Sequence, residues 1–265
     1  MKTDLLILAA GQGTRLKPLT KNIPKGLIKL HKISIIRNHI QIARRNNINN
    51  IYLVSGYKEN KIKYKNINKI YNKDYFKTNM LHSLYLGLKK TVNTNTDLII
   101  SYSDIIYNDE VFKRLINFKE NISVVCDDNW KSYWELRFDN PLQDAETCQI
   151  NKQNTITNIG QKTKTYSKIN SQYIGLLKFN NLSKKKIYNI LHKEYLNRKN
   201  YSKILNHKYY SELFLTDLLQ YLIQKKNIIK SLRINGNWLE IDSIKDYKIA
   251  LKFTKKNKNC ISIIR

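Results

Sequence analysis

The chain has 265 residues, with 48 Lys+Arg against 20 Asp+Glu and a formal net charge of +28. That length allows one large core, or one domain with a small appendage, and no apolar run approaches the ~18 residues that would span a membrane. A hydrophobic content of 42% excludes a disordered chain, and Cys126, Cys148 and Cys260 have neither metal spacing nor a disulfide framework, which points to reduced thiols in the cytoplasm. The lysines are scattered, and no basic stretch is interleaved with aromatics. The charge is therefore read as the Lys/Asn/Ile usage of an AT-rich composition. No nucleic-acid partner is expected, although such a field draws in anionic ligands.

Residues 4–9 read as a buried strand, because Leu5, Leu6, Ile7 and Leu8 form an apolar run of strand length. The chain enters that strand without a signal h-region. Residues 33–48 have helical periodicity, with Ile33, Ile36, Ile40 and Ala43 on one face. Between the two lies LAAGQGTRLKPLTKNIPK, from Leu8 to Lys25. A glycine loop after a buried strand brings backbone N–H groups close to a phosphate chain, and Arg15 and Lys25 can add fixed positive charge. The dinucleotide fingerprint is excluded, since Leu16 stands where its third glycine belongs. The Walker loop is excluded too, because Lys25-Gly26 runs in the wrong order.

Further on, residues 51–54 read as a strand and Gly56-Tyr57 as the turn after it. Residues 62–70 are ambiguous, a helix end and then a short strand at Ile70-Tyr71. Residues 79–88 form a helix with Leu81, Leu84 and Leu88 inward, and residues 97–102 a strand ending in Ser103-Asp104. Residues 109–118 are a helix opening on two acids, which suits its positive end, and residues 122–126 another strand. This alternation predicts a three-layer, Rossmann-like, mostly parallel α/β sheet. Ligands sit at the carboxyl ends of such strands, where both the Gly11 loop and Asp104 fall. From Trp130 the texture changes. Residues 135–138, 146–151, 155–159 and 172–179 read as antiparallel strands, so residues 130–180 are expected to form a small acceptor-binding or lid subdomain within a single domain, 1–265. Helices at 183–198 and 211–226, a strand at 228–234 and a helix at 243–253 with Ser243 as N-cap follow. The basic tail, 254–265, is either loose or an added edge.

The order L-A-A-G-x-G-[ST]-R-L-x-P-L-T followed by P-K, all of it met in residues 8–25, resembles the nucleotidyltransferase family that makes nucleoside diphosphate sugars and CDP-activated small molecules. The resemblance implies a GT-A-like fold. It places Ala9, Ala10, Gly11, Gln12, Gly13 and Thr14 around the nucleotide, Arg15 on the outer phosphates and Lys25 on the reacting phosphate. It also implies that Asp104 and Asp242 together bind Mg²⁺. One departure is that Tyr102-Ser103-Asp104 stands where D-x-D or G-D is common, leaving one carboxylate from that strand.

Asn79 and Ser83 lie one turn apart on a helix face, and Asn79 to Leu84 resembles the N-x-x-x-S-L segment of phosphocholine-type cytidylyltransferases. The base would then be cytosine and the nucleotide CTP. Lys162 resembles the second signature lysine, which touches the acceptor's phosphate. Residues 130–145 and 172–177 look like the CTP-dependent branch acting on phosphocholine, small phosphonates or phosphorylated amino compounds. By that likeness Trp130 and Trp134 wall a cationic head group, Glu135 or Asp144 faces an amine, and Tyr173 and Asp217 see the acceptor. The expected activity is Mg²⁺-dependent transfer of CMP from CTP to a small phosphate or phosphonate, releasing pyrophosphate. Such an acceptor oxygen is already anionic near neutral pH, its second pKa being about 6, so no general base is required. The rivals are a sugar-1-phosphate nucleotidyltransferase using UTP or dTTP, and a nucleic-acid-binding protein on an inactive transferase fold. A homo-oligomer is left open.

Overall fold

Every residue of β1 (Thr3–Ala9) is buried. Strand side chains alternate between faces, so Leu5, Ile7 and Ala9 join one core while Leu6 and Leu8 join another. A strand covered on both faces has no solvent side, which is why its sequence is a continuous apolar run rather than an alternating one. The computed structural model describes residues 2–256. A small hairpin, β2 (Lys29–Leu30) and β3 (Ile33–Ser34), closes the loop after β1. In chain order the remaining strands are β4 (Ile51–Ser55), β5 (Asn68–Tyr71), β6 (Asp97–Tyr102), β7 (Ile105–Tyr107), β8 (Ile122–Asp127), β9 (Glu146–Ile150), β10 (Ile156–Lys162), β11 (Gln172–Phe179), β12 (Lys230–Ile234) and β13 (Trp238–Glu240). The helices are α1 (Ile35–Arg45), α2 (Met80–Thr91), α3 (Asp109–Asn117), α4 (Trp130–Arg137), α5 (Asn181–Leu196), α6 (Leu215–Gln224) and α7 (Ile244–Lys256).

The central sheet runs β12-β8-β11-β6-β1-β4-β5. Only β11 is antiparallel to its neighbours β6 and β8; the other pairs are parallel. Helices α1, α3, α4 and α7 cover the face of Leu5 and Ile7, and α2, α5 and α6 the face of Leu6 and Leu8. The three-layer, mostly parallel architecture is therefore as expected. Helix α2 lies close on β1, for a Cβ at Gly87 would stand 2.3 Å from Leu6 Cδ2.

Several boundaries differ for physical reasons. Residues 135–138 are not a strand but the end of α4, where Trp130, Tyr133, Trp134 and Arg137 are buried at helical spacing. Residues 172–179 leave the expected insertion and enter the central sheet as β11. What remains antiparallel in the insertion is the hairpin β9–β10. Helix α1 starts later than its periodicity, because Ser34 Oγ accepts from Arg37 N and caps it. The segment read as ambiguous holds a 3₁₀ turn at Glu59–Lys61 and then β5. Helix α6 is shorter than expected, behind a separate 3₁₀ turn at Tyr210–Glu212. Ser243 Oγ accepts from Asp246 N, as an N-cap should. Cys260 and most of the basic tail lie outside the described residues.

Candidate active site

Strand β1 ends at Ala9, and the loop that follows turns back under itself. Leu16, fully buried, anchors it, and Thr20 Oγ1 donates to Gly13 O at 2.7 Å. Gly13 has a φ of 63°, a conformation that costs other residues. A Cβ there would lie 2.9 Å from Lys25 Cβ. The glycine thus lets Lys25 pass beneath the loop and reach the carboxyl ends of β1 and β6.

Two acids from distant parts of the chain meet Lys25. Asp104 follows β6. Asp242 follows β13, which pairs antiparallel with β7, and Ile241 N donates to Asp104 O at 2.8 Å. That backbone link brings the two carboxylates together. Lys25 Nζ donates to Asp104 Oδ2 at 2.7 Å and also to Asp242, whose other oxygen pairs with Arg15. Burial draws the Lys25 ammonium down, but Asp104, Asp242 and Glu240 outweigh it and hold its pKa above the usual lysine value. Asp104 Oδ1 is buried with no hydrogen-bond partner. Mg²⁺ is commonly held by one or two carboxylates plus substrate phosphates and water, so the pair fits such an ion with that oxygen as a donor. Among the described residues there is no cluster of three or more His, Cys, Asp or Glu that could hold a metal unaided.

These groups line a cavity of about 350 Å³. Ala10, Gly11, Gly13, Thr14, Arg15, Lys25, Asn79, Ser83, Asp104 and Asp242 all face it. Ala9 and Gln12 do not: Ala9 points into the core by strand alternation, and Gln12 points to solvent. Asn79 leads into α2 without capping it by its side chain, and its amide donates to Glu212 O. Ser83 Oγ accepts from Asn72 Nδ2 at 3.1 Å. Asn72 and Tyr75 also line the cavity and were missed; the turn-forming Asn72-Lys73-Asp74 after β5 was the available signal.

A second cavity of about 230 Å³ adjoins the first, and Met80 and Tyr102 line both. Trp134, Asp144, Lys162 and Tyr173 line it, together with Glu146, Thr216, Trp238 and Glu240, which the sequence does not single out. Trp134 Nε1 donates to Asp144 Oδ2 at 3.0 Å, and Lys162 Nζ to Asp144 O at 3.4 Å. Burial pushes the Glu146 carboxyl up to about 7, with Lys162 opposing. Glu240 is likewise pushed up to about 7 by burial, against the pull of Arg137.

Three expected acceptor contacts fall elsewhere. Glu135 is exposed on the outer side of α4, near Lys131 at 3.9 Å. Trp130 is buried edge-on against Trp134 and backs that residue instead of lining the cavity. Asp217 accepts from Phe214 N at 2.8 Å, pairs with Lys208 at 3.3 Å and lines a different cavity. It caps α6, and its neighbour Thr216 lines the second cavity.

Comparison with known proteins gives a consistent picture. Residues 5–145 match the family model of the MobA-like NTP transferase domain. The CTP:phosphoglutamine cytidylyltransferase of Campylobacter jejuni is 37% identical over 261 residues, covering 94% of this chain and 99% of that one. In fold, the chain resembles the CTP:phosphocholine cytidylyltransferase of Streptococcus pneumoniae with a TM-score of 0.73 at 21% identity, over 96% of this chain and 99% of that one. An inositol-1-phosphate CTP transferase from T. maritima has a TM-score of 0.71 at 19% identity, over 98% of each chain.

Proposed function

The chain belongs to the MobA-like NTP transferase family, and from that premise we propose that it is a cytidylyltransferase. It moves CMP from CTP to the phosphate of a small acceptor that also carries an amino group, of the phosphoglutamine kind. The relative from Campylobacter jejuni, similar over nearly its whole length, supports the nucleotide and the acceptor class. The observation that carries the reading is the pairing of two adjoining cavities that share Met80 and Tyr102, with Lys25, Asp104 and Asp242 lining the first. The first has a glycine loop and two cations for a triphosphate. The second has three acids, Asp144, Glu146 and Glu240, against one lysine, Lys162. An acidic cavity repels a bare phosphate ester and admits one that brings a positive charge.

Chemically, an anionic phosphate oxygen of the acceptor attacks the α-phosphorus of CTP in line, forming a P–O bond as pyrophosphate leaves. No residue needs to remove a proton. Catalysis reduces to positioning and charge neutralisation. Arg15 meets the outer phosphates. Lys25 exchanges its carboxylate partners for the α-phosphate and balances the charge that builds there. Asp104 and Asp242 would hold Mg²⁺, which supplies further positive charge to the phosphates. Ser83 and Asn79, fixed by Asn72 and by Glu212 O, offer hydrogen bonds to the base.

A pyrophosphate-release assay with CTP, UTP, dTTP and ATP tests this against phosphoglutamine, phosphocholine, phosphoethanolamine, 2-aminoethylphosphonate and glucose-1-phosphate. Turnover with CTP and an amino-bearing phosphate or phosphonate is expected. Preference for UTP or dTTP with the sugar phosphate would overturn the reading.

A further inference from the structure

Arg137 closes α4 with its guanidinium buried. It stacks over Tyr133 and Trp134, at 5.4 and 5.1 Å from their ring centres. Its Nε donates to Asp246 Oδ1 at 2.9 Å, and Nη1 lies 2.6 Å from Glu240 Oε2. Asp246 in turn accepts, through Oδ2, the backbone N–H groups of Asp242 at 3.1 Å and Ser243 at 2.9 Å. Tyr133, one turn earlier on α4, receives Glu240 N and donates to Glu240 O. The stretch 240–243 is therefore gripped at each end from α4 and the first turn of α7.

The chemistry of this grip exceeds what packing requires. A buried guanidinium between two carboxylates carries a desolvation cost that an apolar side chain of similar volume would avoid. What it gains is direction. A forked cation fixes the plane of Asp246, and that carboxylate fixes the peptide from which the Asp242 side chain projects. The same helix carries Trp134, which lines the acceptor cavity and holds Asp144.

We propose that Arg137 and Asp246 are positioning residues that orient Asp242 toward Asp104, so that the two carboxylates form one divalent-cation site on the triphosphate. Arg137 lines neither cavity; it acts on Asp242 through Asp246, while its contact with Glu240 holds the start of the same stretch. The inference rests on the cytidylyl-transfer reading for its purpose, but its test does not depend on turnover.

The test is CTP binding by calorimetry, without acceptor, across a Mg²⁺ titration, for wild type, Arg137→Lys, Arg137→Met and Asp246→Asn. Groups that orient metal ligands typically govern affinity by 10–100-fold. The Mg²⁺ needed for half-maximal CTP binding should rise about tenfold or more in Arg137→Met and Asp246→Asn. Arg137→Lys, which keeps the charge but loses the fork, should fall between them and wild type; it carries the test if the methionine variant does not fold. An unchanged Mg²⁺ requirement in the folded variants, whatever their melting temperature, would make Arg137 a packing residue and overturn the proposal. So would wild-type CTP binding that ignores Mg²⁺. Wild type that binds CTP with Mg²⁺ yet releases no pyrophosphate with any acceptor would instead overturn the transfer reading alone.

Discussion

Replacing Lys25 by alanine is the most direct perturbation of the chemistry. Its ammonium lies 2.7 Å from Asp104 and also bonds Asp242, on a side chain only 11% exposed. It is thus held in place before nucleotide arrives, in surroundings where water screens little. Removing one such preorganised charge partner from a developing anion costs about 3–4 kcal/mol, or about 10²–10³ in kcat. The substitution also leaves Asp104 without its cation, while Asp242 keeps Arg15. The stability cost should therefore be below the ~3–5 kcal/mol of breaking a wholly buried pair. The assay is pyrophosphate release at saturating CTP and acceptor, with a melting curve of the same sample to show that the variant is folded at the assay temperature. Because Arg15 and the glycine loop remain, KM for CTP should change far less than kcat. A folded Lys25→Ala protein whose kcat stays within about threefold of wild type would refute the role given to this residue.

Gly13→Ala introduces a side chain at φ 63° and 2.9 Å from Lys25 Cβ. It should cost about 1–2 kcal/mol in backbone strain and lower kcat by displacing Lys25; unchanged melting temperature and unchanged kcat would count against the loop geometry. Glu146, pushed up to about 7 by burial, is protonated at pH 5 and ionised at pH 8 in the free protein. Its stability contribution is therefore present below the ordinary carboxylate range and lost as pH rises through about 7. Glu146→Gln should melt higher than wild type at pH 8 but not at pH 5. The same variant should also lose the part of acceptor kcat/KM that rises between pH 6 and 8; parallel profiles for variant and wild type would exclude Glu146 from the amine site. Gly87→Ala places a Cβ 2.3 Å from Leu6 Cδ2, an overpacking that should cost about 1–3 kcal/mol, read as a lower melting temperature with CTP affinity retained.

The layered sheet was legible because the apolar run of β1 and the strand–helix alternation are local signals. Lys25, Arg15, Asp104 and Asp242 were legible only because a dense motif named the first two and a resemblance paired the last two. Nothing in the sequence announces that Ile241 N will meet Asp104 O. That contact depends on β7 and β13, strands of three residues each, too short to show any period. Glu146 and Glu240 were missed for the opposite reason. Each sits in a strand where an acid reads as the solvent-facing member of an alternating pair, and only tertiary closure by α4, β11 and α6 turns those faces inward. Glu135 and Asp217 went wrong because a helix placed one face outward and a backbone N–H claimed a carboxylate. The Glu135 outcome follows once α4 is recognised as a helix, for which the Trp130, Tyr133, Trp134, Arg137 spacing is sufficient; the Asp217 outcome follows from its place in the first turn of α6.

The composition bears on the site in an asymmetric way. In a chain with 48 Lys+Arg, the presence of a lysine in a cavity says little, and Lys162 is informative only through its position beside Asp144 and Glu146. Acids are the scarce residues. Five of the 20, namely Asp104, Asp242, Asp144, Glu146 and Glu240, line two adjoining cavities. Each carboxylate there faces burial or repulsion from its neighbours, a cost that random surface placement would avoid. The basic field of the whole chain favours the arrival of any polyanion and cannot choose among them. On the proposed reading, selection comes from the acidic pocket, which penalises an acceptor lacking a compensating cation.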